Sequence, residues 1–300
     1  MAAVDFESLL SSWELSLRAE RKSASTVKSY GDGVRRYLRW WTESSPGDAP
    51  TIEKRAVRGF IADLLDADTA PATARSRHLA LCRFSAWLAE EGELATDPLF
   101  GSKPPKIDVK VTPTLTGEQL SALIAACKGP GLRERRDEAL IRFMVETGAR
   151  AGEVIDLRTT HVDLPRGIAT ITRGKGGKGR IVPFGAQTGT ALDRYLRARR
   201  SHPRAATPAF WLGPRQGRGF TYYALHKALG HRAELAGIAE FHPHVLRHTA
   251  ATRWLAAGGS EGGLMAVAGW TRRDMIDRYT AATAAERAAD EARTHGLGDL

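Results

Sequence analysis

The chain has 300 residues and a mass of 32.6 kDa, with 42% hydrophobic and 26% charged residues, an ordinary globular composition with enough length for two modest cores. No apolar run approaches the roughly 20 residues of a membrane span, and no basic start feeds an apolar export segment, so a soluble, cytoplasmic protein without a membrane partner is expected. A formal charge of +10 and a pI near 9.9 suggest a polyanionic partner, and the excess is uneven: residues 1–100 carry 13 Lys/Arg against 15 Asp/Glu, residues 101–300 carry 31 against 19.

The first hundred residues predict four helices, with apolar positions recurring at three and four. Leu9, Leu10, Trp13 and Leu17 mark the first, and Val27, Tyr30, Val34, Leu38 and Trp41 the second. Ile52, Val57, Phe60, Ile61 and Leu64 mark the third; Pro71 stands near the start of the fourth, which holds Leu79, Phe84, Trp87 and Leu88 before Gly92. Residues 101–113 have no helical period and carry three prolines, which reads as a linker. Thr116-Gly-Glu-Gln119 resembles a capping box, and a further helix covers Arg135 to Glu146, ending near Gly148. Ile168 to Thr172 and Ile181 to Pro183 are β-like runs around Arg173-Gly-Lys-Gly-Gly-Lys-Gly-Arg180, a hairpin with a basic tip. Later helices are expected at Tyr222 to Ala236, His244 to Ala257 and Thr271 to Tyr279. Cys82 and Cys127 lack any paired or Cys/His ligand spacing, which gives a disulfide or zinc framework no support.

Four separated segments carry reactive residues: Thr147-Gly-Ala-Arg-Ala-Gly-Glu153, Gly174-Lys-Gly-Gly-Lys-Gly-Arg180, His244-Val-Leu-Arg-His248, and Gly269-Trp270 with Tyr279 nine residues later. Cutting a phosphodiester with an attached nucleophile requires neutralised non-bridging oxygens, an aligned hydroxyl and a proton for the leaving 5′ oxygen. Arg150 and Arg247 offer permanently charged forks for phosphate. His244 and Arg247, three residues apart, share one helix face. Tyr279 offers a phenol as nucleophile.

In this order and at these intervals the segments resemble the tyrosine recombinase, or phage integrase, family, over the whole chain; the two-domain size is closer to its Xer-like members. The resemblance implies a mainly α fold: a four-helix, SAM-like core-binding domain at 1–100, a linker at 101–113, and a mainly helical catalytic domain with a small antiparallel sheet at 114–300. It implies site-specific DNA recombination through a 3′-phosphotyrosyl link and a Holliday junction, without metal or other cofactor. Tyr279 would be the nucleophile, Lys175 the general acid, His244 the helper of the tyrosine proton, and Trp270 a phosphate donor where many members carry histidine. Glu153 matches the family's acidic orienting residue. Lys178, Arg180 and the arginines Arg35, Arg36 and Arg39 are expected on DNA. The implied partners are double-stranded DNA with paired sites, three further copies of the chain, and a paralogous recombinase or accessory factor.

Blander readings stand beside these. Arg150 could cap a helix, Lys175 and Lys178 could both hold DNA backbone, Trp270 could be a core residue and Glu153 an exposed helix carboxylate. At the level of function, the rivals are a type IB topoisomerase and a non-catalytic DNA-binding protein.

Overall fold

The computed structural model describes residues 5–107, 113–172, 179–213, 219–273, 275, 276 and 292. The chain divides into two compact units, Met1–Lys110 and Val111–Leu300.

The first unit consists of α1 (Phe6–Ala19), α2 (Ala24–Ser44), α3 (Lys54–Asp66) and α4 (Pro71–Glu90). Asp5 and Ser23 accept from amides of the first turns of α1 and α2, and Pro71 fills the first turn of α4, where its missing N–H costs nothing. The three-and-four spacing closes one core around Trp13, Tyr37, Phe60, Phe84 and Leu88. Two expected positions differ: Ile52 is buried just ahead of α3, and Leu79 faces outward on α4. Arg35, Arg36 and Arg39 are exposed on α2. Arg35 answers Glu14 at 2.6 Å and Asp32 at 3.6 Å.

The second unit is also mainly helical. It contains α5 (Gly117–Ala125), α6 (Leu132–Thr147), α7 (Ala151–Ile155), β1 (Val162–Asp163), β2 (Ile168–Ile171), β3 (Arg180–Pro183), α8 (Ala186–Arg199), α9 (Tyr222–Leu235), α10 (Pro243–Ala256) and α11 (Glu261–Ala268). The Thr116–Gln119 capping box opens α5 as expected. The strands form an antiparallel sheet in the order β1-β2-β3. Alternation turns Ala169, Ile171 and Val182 into the core, and the register sets Arg180 opposite Ile171 on that same face.

The core of this unit gathers Leu140, Phe143 and Met144 of α6, Leu192 and Tyr195 of α8, and Leu246 of α10. A smaller cluster of Ala251, Leu255, Leu264, Ala268, Trp270 and Ile276 joins α10 to α11. Three helices were not legible in the sequence. Five-residue α7 is too short for a period; the buried face of α8 includes Thr188; and α11 carries two glycines in its first turn, which lower its helix propensity. Of the helix expected at Thr271 to Tyr279, Thr271, Arg272 and Arg273 are described and lie outside any helix, whereas Met275 and Ile276 are helical, so the expected start is too early; the other positions lie outside the described residues. Among the described residues, no helix is long and apolar enough to cross a membrane.

Candidate active site

Helix α6 ends at Gly148, whose φ of 61° is a left-handed value that glycine adopts without a Cβ penalty. The reversal lets the chain restart two residues later with Arg150 as N-cap of α7, and Glu153 follows one turn on. Arg150 donates its backbone N–H to Glu153 Oε2 at 2.9 Å and Nη1 to Oε1 at 3.0 Å. Its Nη2 reaches the carbonyl of Gly269 at 3.3 Å.

Pro243 opens α10, which carries His244 and Arg247 one turn apart. Arg247 is only 4% exposed. It donates Nη1 to Gly148 O and Nη2 to Ala268 O, the latter at 2.8 Å, and its Cζ lies 5.2 Å from the centroid of the Trp270 ring. Trp270 is a core residue, as its blander reading has it, and its ring also lies against the Arg247 guanidinium. Arg150 and Arg247 come from helices about a hundred residues apart in sequence, yet bind adjacent carbonyls, Gly269 and Ala268.

His244 keeps an exposed surface on α10. Partial burial of its ring, then the charges of Arg247, His242 and Arg150, push its pKa below the ordinary 6.5. The imidazole therefore stays neutral, and able to accept a proton, to lower pH than a free histidine.

One expectation changes, and one blander reading falls. Glu153 is not the exposed helix carboxylate of its blander reading: it is 7% exposed and receives both arms of Arg180, at 3.0 and 2.7 Å. Burial works to raise its pKa, but the Arg180 hydrogen bonds, the Arg150 amide, the charge of Arg180 and the Arg150 side-chain hydrogen bond outweigh that and hold it below the usual carboxylate range. Arg180, expected on DNA, directs its guanidinium inward, with Nε donating to Val267 O at 2.7 Å. Strand alternation was the signal for this, since Arg180 shares a face with Val182 while Ile181 points out; with an apolar residue at 181, the sequence alone did not say which face was inner. Lys175, Lys178 and Tyr279 lie outside the described residues.

The phage integrase family matches residues 113–286, and the phage integrase N-terminal SAM-like domain matches residues 10–92. The chain belongs to the phage integrase family. Among its relatives, the tyrosine recombinase XerC of Mycobacterium sp. (strain KMS) is 30% identical over 306 residues, covering 96% of this chain and 99% of that protein. The tyrosine recombinase XerD of Ralstonia nicotianae (strain ATCC BAA-1114 / GMI1000) is 36% identical over 195 residues, 64% of this chain and 63% of that protein. Similar folds occur in a lambda integrase dimer bound to a COC′ core site (TM-score 0.71, 16% identity, 92% of this chain and 77% of that one). They occur also in a lambda integrase tetramer bound to a Holliday junction (TM-score 0.70, 15% identity, 90% of this chain and 78% of that one).

Proposed function

We propose that this family member is a site-specific DNA recombinase that breaks and rejoins double-stranded DNA through a covalent link to Tyr279. The hydroxyl of Tyr279 attacks the phosphorus while neutral His244 assists removal of its proton. Arg150 and Arg247 neutralise the non-bridging oxygens, and Trp270 supports Arg247. Lys175 gives a proton to the departing 5′ oxygen, leaving a 3′-phosphotyrosine and a free 5′-hydroxyl. Because one phosphoester replaces another, attack by a second strand's 5′-hydroxyl reverses the chemistry without an energy source. The observation that carries the reading is the convergence of Arg150 and Arg247 on adjacent carbonyls, with His244 one turn from Arg247.

In this proposal residues 1–100 grip DNA with Arg35, Arg36 and Arg39, residues 101–113 connect, and residues 114–300 carry the chemistry, with Lys178 on the DNA backbone. The working assembly is a tetramer on paired sites, either of four copies or shared with a paralogous recombinase, aided by an accessory factor where one is needed, in the cytoplasm. The lambda integrase tetramer on a Holliday junction is the precedent for the assembly.

The test begins with a site selected by binding from a random duplex library and cloned singly or in pairs. Plasmids with paired sites should give recombinant circles, and single-site plasmids none. Equal relaxation of a plasmid lacking the site would assign a topoisomerase. Binding to the selected site with no strand cleavage would assign a non-catalytic DNA-binding protein.

A further inference from the structure

The last carbonyls of an α-helix have no intrahelical donor and must be satisfied from outside. At α11 the full set can be followed. The Met265 and Ala266 carbonyls accept from the backbone N–H groups of Trp270 and Gly269, at 2.9 and 3.4 Å. The next three are taken by three arginines in sequence: Val267 O by Arg180, Ala268 O by Arg247 and Gly269 O by Arg150. Two of these belong to the proposed phosphate clamp. The third, Arg180, comes from β3 and also forks onto Glu153, which in turn caps and pairs with Arg150.

We infer that Arg180 is a positioning residue for strand cleavage: it fixes Glu153 against the end of α11 and thereby frees the charge of Arg150 for phosphate. The inference rests on the proposed function. One carboxylate faces two guanidinium groups, so the trio of Arg150, Glu153 and Arg180 retains one net positive charge. The Arg180 side chain is 11% exposed and that of Arg150 is 27% exposed, so the excess charge is open to the outside at Arg150. With Arg180 absent, the buried carboxylate would pair with Arg150 alone, cancelling its charge and drawing it off the phosphate. Packing points the same way. A Cβ at Gly269, whose φ is +65°, would stand 2.9 to 3.1 Å from the Arg180 guanidinium, so the turn after α11 is closed around that side chain.

The experiment measures single-turnover covalent adduct formation on saturating, pre-nicked site DNA, with DNA affinity, its salt dependence and thermal unfolding recorded for each variant. Arg180→Met should lose on the order of 10²-fold in adduct rate, the scale of a clamp group displaced by about 1 Å, with affinity and salt slope unchanged. Arg180→Lys, which keeps the charge but not the fork, should recover part of the rate. The decisive variant is the double substitution Arg180→Met with Glu153→Gln. Removing the stranded carboxylate should make it faster than Arg180→Met alone, all at a temperature where every variant is folded. A double variant no faster than Arg180→Met overturns the inference. So does a lower affinity with a flatter salt slope in Arg180→Met, which would put Arg180 on DNA phosphate. Should Arg180→Met fail to fold, Arg180→Lys with and without Glu153→Gln carries the same comparison. Absence of adduct from the parent chain would sink the recombinase reading instead. The positioning claim would then be read from the Glu153 carboxyl by carbon NMR, where its pKa should rise when Arg180 is replaced and an unmoved pKa overturns it.

Discussion

Arginines occur on α2 and around the end of α11, and their surroundings differ sharply. Arg35, Arg36 and Arg39 project from an exposed helix face, and the side chain of Arg35 is 45% exposed even while it pairs with Glu14. Arg247 and Arg180 are held by main-chain carbonyls, and Arg150 is tied to both Glu153 and Gly269. An exposed side chain can follow a phosphate at little cost, and its attraction is screened by salt. A buried guanidinium on fixed carbonyls cannot shift without leaving those acceptors unsatisfied. Exposed arginines suit affinity for a polyanion; fixed ones suit a transition state that requires charge at one place.

The largest effect should come from the fixed set. Arg247→Ala removes the donor to both Gly148 O and Ala268 O, so it should slow covalent cleavage by on the order of 10²- to 10³-fold and lower stability by about 2 kcal/mol. DNA affinity should change little. Single-turnover rates at saturating DNA, beside equilibrium binding, make the distinction, and equal losses in rate and affinity would erase the contrast between the two sets. Arg150→Ala should behave alike in rate.

A smaller effect of the opposite kind is expected on α2. Arg36→Ala and Arg39→Ala should weaken binding and flatten the dependence of log affinity on log salt by about 0.9 for each phosphate that is no longer neutralised, with the saturated cleavage rate unchanged. A slowed rate with intact affinity would move these residues into the chemistry.

The smallest effect concerns pH. Because the pKa of His244 is lowered from 6.5, the form that can accept the tyrosine proton persists as pH falls through 6.5 and is lost only below it. The acid limb of the cleavage rate should therefore have its midpoint below 6.5, and His244→Asn should remove that limb. A midpoint above 6.5 that disappears in His244→Asn would contradict the electrostatics described here.

How much of this was legible in the sequence follows from the range of each signal. Helices α1 to α4 declared themselves because each repeats its apolar spacing over several turns, and Thr116 and Gln119 announced α5 by a local exchange of hydrogen bonds. The identities of Arg150, His244, Arg247 and Trp270 came from order and interval, a pattern that survives without knowledge of packing. The partners of Arg180 and Glu153 did not, because they meet 27 residues apart. An isolated arginine in a basic hairpin looks the same whether it faces DNA or a buried carboxylate. Helix α11 was hidden by Gly262 and Gly263, so the carbonyls that organise the arginines could not be anticipated either.

In the proposed reaction Tyr279 becomes joined to DNA, with guanidinium groups supplying the charge neutralisation. The most direct test is to incubate the chain with pre-nicked site DNA in excess EDTA, digest the product, and locate the phosphonucleotide by mass spectrometry. The predicted result is a DNA 3′-phosphate on Tyr279, formed at the same rate with or without the chelator and absent from Tyr279→Phe, which should still bind the site. An adduct on another residue, undiminished adduct from Tyr279→Phe, or cleavage that stops in EDTA and returns with a divalent ion would contradict it.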